Sequence, residues 1–332
     1  MNIAPYILAN GNWISMAQYM ELALYDEIGG YYSKNIANIG FRGDFSTSAT
    51  MCDLLARRIV QQWREACKAH SRRLPIIEIG GGNGDMAMAI CRNMSWMERI
   101  FSRYLMVDRS QALRNLQGMV GGHSVSVFST VEKALKKADG CAFIFSNELP
   151  DAFPARQFVH QGGEWLELGV AVVNGQLVRQ ADRRPLPASS AFARWAQEGQ
   201  IIEVHESYAE WFAEWQKMWK CGTMLTIDYG QLCDKLYYRR PQGSLRGYKA
   251  HTLLNVEELL TMAGHCDITA DVNFTDLINL AQGCKGDVVQ YMSQREFLLP
   301  LADTSVPEEA HLIAVPGAGN YFNVLLQHRF DA

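Results

Sequence analysis

Apolar residues recur along this chain with two different periods. Between 15 and 25 they fall at Met16, Tyr19, Met20, Ala23 and Leu24, the spacing of one helical face, with Ser15 placed to cap it and Gly29-Gly30 to end it. A second helix is expected over 51–69. From Leu74 onward, short apolar runs alternate with amphipathic stretches, the signature of a mostly parallel sheet with helices between its strands. Strands are expected at 75–79, 104–107, 124–128, 141–146 and 223–228, and helices at 85–94, 111–119 and 130–137.

Between the fourth and fifth of these strands the alternation breaks. Short β-like runs at 156–160, 165–173 and 176–179 are joined by Gly162-Gly163 and by Asn174-Gly175, and an Asn-Gly pair is a strong signal for a two-residue hairpin. An antiparallel meander is therefore expected as an insertion. Helices at 191–198 and 208–220 lead back to the sheet; helices at 256–263 and 275–282 and strands at 287–292 and 321–328 complete the chain.

Composition narrows the function classes. With 332 residues and 48% hydrophobic content, the chain can build one large α/β domain or two smaller ones. The formal charge of -4, with signs mixed along the sequence, leaves no basic stripe for nucleic acid held by its phosphates. The first residues lack a basic segment followed by an apolar core, and no stretch approaches the ~18 uninterrupted apolar residues of a membrane span, so a cytoplasmic location is expected. Eight cysteines are scattered without a CxxC pair and read as core or surface thiols, not as a zinc knuckle or a disulfide framework. Glu203-x-x-Glu206 has no third ligand, and no metal is expected.

The most informative segment is Glu78-Ile79-Gly80-Gly81-Gly82-Asn83-Gly84-Asp85, which follows the apolar run 74–77. A dinucleotide fingerprint counted from Gly80 needs its third glycine at position 85, which is Asp85; counted from Gly82 it reaches Ala87, a permitted but poorer match. The alternating E-x-G-x-G-x-G spacing resembles instead the S-adenosylmethionine loop of class I methyltransferases. A tight strand-to-helix turn without a ligand is the plainer alternative.

On that resemblance, Gly80, Gly82 and Gly84 admit the ligand to backbone N–H groups and a helix start, and Glu78 meets its ammonium. Asp108, at the end of the second strand, either accepts from the ribose hydroxyls or caps the next helix. Ser129 or Thr130 lines an adenine pocket or caps in turn. Asn147, Glu148 and Asp151 follow the fourth strand, and two acids three residues apart suit a guanidinium. The glycine- and hydroxyl-rich segment 40–48, with Ser46 and Thr47, suits a loop that closes over the donor, while His205 and His251 are candidate general bases for a hydroxyl acceptor.

Eight stretches together are similar to one family. They are Leu24-Tyr25-Asp26 with Gly30-Tyr31-Tyr32, then 43–48, the glycine loop from Glu78, 146–154 (SNELPDAFP), 227–230 (IDYG), 245–248 (LRGY), 267–274 (DITADVNF) and 319–325 (GNYFNVL). In this order they resemble the MidA family (DUF185) of class I methyltransferases, which includes the mitochondrial protein arginine methyltransferase of complex I assembly. The resemblance implies an α/β fold: a Rossmann-like, seven-stranded sheet with its last strand antiparallel, a helical extension and lid loop over 1–70, core segments at 71–155 and 223–332, and an inserted β meander with helices over 156–222.

It also implies S-adenosyl-L-methionine as methyl donor, with Glu78, Gly80, Gly82, Gly84, Asp108, Ser129, Asn147, Ser46 and Thr47 as the binding set and Glu148, Asp151 and His251 in catalysis. The expected partner is a methyl acceptor, either a protein arginine or a small molecule or peptide natural product, with a second copy of the chain as a further candidate. A non-catalytic assembly factor is the third reading. The chain departs from the family at Ala49-Thr50, where Pro-Glu is usual, and at Gly81 and Asn83, where Pro and Arg are common.

Overall fold

The computed structural model describes residues 1–34, 52–120, 125–249, 252–284 and 287–330. They fall into two compact units, one drawn from 39–149, 212–229 and 278–332, the other from 1–38, 150–211 and 230–277.

The first unit is built on a sheet whose strands we number in chain order: β1 Ile76–Ile79, β2 Tyr104–Val107, β3 Val125–Phe128, β4 Cys141–Asn147, β5 Cys221–Gln231, β6 Asp287–Ser293 and β7 Phe322–Arg329. Their spatial order is β3-β2-β1-β4-β5-β7-β6, with β7 antiparallel to both of its neighbours. The order reverses between β1 and β4, the place where open α/β sheets form a ligand crevice at the carboxyl ends of the strands. β1 and β2 are buried at every residue, as expected of parallel strands covered on both faces. Helices Leu54–Ala69 and Asp85–Asn93 contribute Trp63, Ile59, Met86 and Ile90 to the core beside Phe143, Phe145 and Leu225. The seven expected strands form, the last antiparallel, and a two-residue strand, Val272–Asn273, pairs in addition with Gly230-Gln231 at the end of β5.

Boundaries differ where tertiary contacts intervene. The helix expected over 208–220 ends at Trp215 and tightens into a 3-10 turn, Gln216–Met218. Arg329 explains the stop, because its Nη1 donates to the carbonyls of Gln216 (2.6 Å) and Trp219 (2.7 Å), acceptors that a continuing helix would leave to its own amides. Cys141 and Cys221 begin neighbouring parallel strands in register, with Cα atoms 4.7 Å apart, and are joined as a disulfide. This pair departs from the expectation that all eight cysteines are thiols, which holds for the other six.

The second unit contains the predicted meander. Arg156–Gln161, Glu164–Val173 and Gln176–Asp182 pair antiparallel through turns whose central residues all have positive φ: Gly162 (60°) and Gly163 (83°), then Asn174 (50°) and Gly175 (78°). These are the conformations a two-residue hairpin requires. Ile201–Val204 adds a strand beside Arg156–Gln161, and a small ladder places Arg246–Lys249 between Thr252–Leu254 and Asp267–Thr269. Helix Met16–Tyr25 starts at Ser15, whose Oγ accepts from the Gln18 amide at 3.0 Å while the Gln18 side chain returns a bond at 2.9 Å. The helix expected over 191–198 is shorter, Ala191–Arg194. Among the described residues no helix is long and apolar enough to cross a membrane.

The β6–β7 edge is clamped by a buried ion pair. Arg329 donates from Nε and Nη2 to the two oxygens of Asp287, each at 2.8 Å, and the Asp287 side chain is fully buried. Removing one member of such a pair leaves an uncompensated charge, so Arg329→Met is expected to lower unfolding free energy by about 3–5 kcal/mol. Urea denaturation measures this, and a midpoint equal to the parent's would show that Asp287 needs no counter-charge.

Candidate functional site

Register brings the candidate residues into one row. Ile79 is level with Val107 on β2 and with Ser146 on β4, so Gly80, Asp108 and Asn147 leave the sheet together at its carboxyl edge. Val107 is level in turn with Phe128, which adds Ser129 at the end of the row.

The loop after β1 explains its glycines. Gly80, Gly82 and Gly84 have φ of 73°, 53° and 89°, so every second residue lies in the left-handed region that favours glycine. The Gly80 amide continues the ladder to the Val107 carbonyl at 2.9 Å, and Gly84 caps the helix Asp85–Asn93. Gly81 matters for a different reason. A Cβ there would lie 3.0 Å from Glu78 Oε1 and 2.6 Å from Met106 Cε, so a side chain would collide with the carboxylate.

Glu78 is 3% exposed, and its Oε2 accepts from the Tyr104 hydroxyl at 2.7 Å. Burial pushes its carboxyl up to about 7, against the opposing pull of the Tyr104 bond and with the Asp108 charge adding to the rise. Asp108 is pushed up to about 6 by burial, against the Ser110 amide, the Gln117 side chain and the Arg114 charge. Asp108 is not the cap of the next helix. Ser110 caps the helix Gln111–Gln117, and Asp108 Oδ1 accepts the Ser110 amide at 2.9 Å.

Gln117 is a residue that sequence reading did not single out. Fully buried, its Nε2 donates to the Gly82 carbonyl (2.9 Å) and to Asp108 Oδ2 (3.0 Å), tying the glycine loop to the acid. A glutamine in a short amphipathic helix carries no local signal of this.

Asn147 Nδ2 donates to Glu148 Oε1 at 3.0 Å, while Asn147 Oδ1 is buried and has no hydrogen-bond partner among the described residues. Glu148 has φ of 54°, and its amide bonds the Ile227 carbonyl at 2.9 Å. A glutamate in the left-handed region is costly and persists only where its surroundings enforce it. Ser129 Oγ accepts from Lys133 Nζ at 2.8 Å, and Thr130 stands at the N-cap of the helix Val131–Lys137 without a side-chain hydrogen bond to it.

Asp151 belongs to the second unit, in the 3-10 turn Pro150–Ala152. It is buried, its Oδ2 accepts from the Thr269 hydroxyl at 2.7 Å, and burial raises its carboxyl against the Thr269 bond and the Arg246 charge. His205, in the same unit, is held neutral, its imidazole pushed down to about 4 by burial. Ser46, Thr47 and His251 lie outside the described residues.

These groups fit a ligand that carries an ammonium, a diol and N–H donors. Glu78 is a buried acid lacking a cationic partner among the described residues, Asp108 keeps lone pairs free beyond its two protein bonds, and Asn147 Oδ1 is an acceptor without a donor. Comparison with known proteins points to the same ligand. A family model described as "Putative S-adenosyl-L-methionine-dependent methyltransferase" matches residues 54–292, well over half the chain. The chain belongs to this methyltransferase family.

Other members lie at moderate distance. "Protein arginine methyltransferase NDUFAF7, mitochondrial" of Danio rerio is 27% identical, over 90% of this chain and 75% of that protein. The Caenorhabditis elegans homolog is 25% identical, over 87% and 72%. A COG1565 superfamily member from Burkholderia thailandensis, crystallised with S-adenosyl-homocysteine, superposes with a TM-score of 0.85 at 26% identity, covering 98% of this chain and 90% of that one. The chain is thus an S-adenosylmethionine-dependent methyltransferase of the class I architecture.

The raised Glu78 carboxyl makes donor binding depend on pH. An ammonium favours the ionised acid, so affinity for S-adenosyl-homocysteine is expected to fall, approaching tenfold per unit, as pH drops below about 7. Stability runs the other way. A carboxyl raised from 4.5 to about 7 on folding stabilises fully below 4.5 and loses that contribution as pH rises through 7, so Glu78→Gln is expected to stabilise the ligand-free protein at pH 8 by up to about 3 kcal/mol while weakening binding. Calorimetric titration from pH 5.5 to 8.5 and thermal melts check both; a flat affinity profile would remove Glu78 from the ammonium.

Proposed function

We propose that this chain N-methylates arginine in a protein partner. The observation that carries the reading is the carboxylate of Glu148, held in a costly backbone conformation at the end of β4, in the residue next to the row that holds the donor loop. The names of the relatives as protein arginine methyltransferases support it.

When bound, S-adenosylmethionine would supply a methyl group on positive sulfur: the nitrogen–carbon bond forms as the carbon–sulfur bond breaks, sulfur keeps the electron pair and the proton leaving the nitrogen passes to solvent water. The chain's own residues select and orient the nucleophile. The Glu148 carboxylate accepts N–H bonds from a guanidinium, keeps its charge away from the attacking nitrogen and fixes its plane. Asn147, bonded to Glu148 Oε1, positions that carboxylate. Aligning nitrogen, methyl and sulfur is the main source of acceleration, worth up to ~7–11 kcal/mol in favourable geometry.

A second reading, O-methylation of a small molecule or a peptide, has one observation in its favour. His205 is neutral near pH 7 and its buried Nε2 has no hydrogen-bond partner among the described residues, although an imidazole pushed down to about 4 is a weak general base. Glu148→Gln separates the two. For a guanidinium acceptor, turnover of labelled donor with host lysate protein is expected to fall about 100-fold with donor affinity unchanged. Turnover close to the parent's, with a large loss in His205→Ala, would sink the arginine reading.

A further inference from the structure

The first unit carries a second concavity, away from the row of donor residues. It is a cleft of about 310 Å³ between helices Asp85–Asn93 and Trp96–Phe101, reaching Tyr104 at the amino end of β2. Met88, Cys91 and Met94 supply apolar walls, and burial pushes the Cys91 thiol up, which keeps it neutral.

The polar lining is incomplete without a ligand. Ser102 is only 8% exposed, yet its Oγ has no hydrogen-bond partner among the described residues, a state that buried hydroxyls rarely keep. Arg99 is exposed at the same cleft, and no carboxylate of the described residues lies within ion-pair distance of it, whereas Arg92 is paired with Asp53 at 3.0 Å. One hydroxyl donor and one cation beside a hydrocarbon wall match an anion with an apolar body. The volume suits a small molecule.

We propose that this cleft binds a small amphipathic monocarboxylate, its carboxylate between Arg99 and Ser102 and its chain along Met88 and Met94. Tyr104 lines the cleft and donates to Glu78 at 2.7 Å, so occupancy reaches the acid assigned to the donor's ammonium. Through this phenol the ligand and the donor alter one another's affinity reciprocally. The coupling rests on the donor-site reading of Glu78; binding in the cleft does not.

Calorimetry of the full chain with sodium octanoate, 1-octanol and inorganic phosphate tests the site without donor present. Octanoate is expected to bind at least about tenfold more tightly than the alcohol or phosphate, and Arg99→Met and Ser102→Ala each to weaken it about tenfold. Met94→Trp, which fills the cleft, should abolish it. Affinity for S-adenosyl-homocysteine should shift at least about threefold in saturating octanoate, and not in Tyr104→Phe. Absence of octanoate binding, binding that all three cleft variants leave unchanged, or phosphate binding as tightly would overturn the site. An unchanged S-adenosyl-homocysteine affinity in saturating octanoate would overturn the coupling alone, and octanoate binding by a protein that fails to bind S-adenosyl-homocysteine would count against the donor reading, not against the cleft.

Discussion

A carboxylate buried beside bare backbone is the constraint from which the donor site follows. Glu78 is enclosed at the end of β1 with a phenol as its hydrogen-bond donor and without a cation among the described residues. In this chain the loop passes so close that a Cβ at Gly81 would lie 3.0 Å from Oε1. The left-handed turns at Gly80, Gly82 and Gly84 then carry the chain from strand to helix in five residues. Gln117 holds this loop to Asp108, so the two acids share one rigid frame.

That frame is held at a cost in stability. Both acids are raised by burial, and each ionises in the free protein only against desolvation. A polar ligand with an ammonium and a diol relieves the penalty, so binding and the ionisation of the site are one linked equilibrium. Glu148 adds a backbone penalty of its own in the residue after β4. Sites of function are where such costs persist.

The central strands β1 and β2 were legible as short buried apolar runs, and the hairpins because Asn174-Gly175 and Gly162-Gly163 are residues that accept positive φ. Gly80 and Asp108 were legible because each follows the last apolar residue of its strand, and Asn147 because it closes β4 two residues after Phe145. What remained hidden depends on distant contacts. Tyr104 reads as one more strand residue until its hydroxyl meets Glu78, 26 positions earlier, and Gln117 as one more polar helix residue. Cys141 and Cys221 are 80 residues apart and become neighbours only through the parallel pairing of β4 and β5. The ladder around Arg246–Lys249 was not foreseen because four residues containing Gly247 and Lys249 carry no period-two apolar signal.

The ionisation of Glu78 itself tests this account most directly. A ¹³C NMR titration of its side-chain carboxyl, in the free protein and saturated with S-adenosyl-homocysteine, should give a free value near 7 that drops well below it when the ligand's ammonium is bound. A free value in the ordinary carboxylate range, or one that the ligand leaves unmoved, would contradict the claim that a buried, unpaired acid organises the donor site.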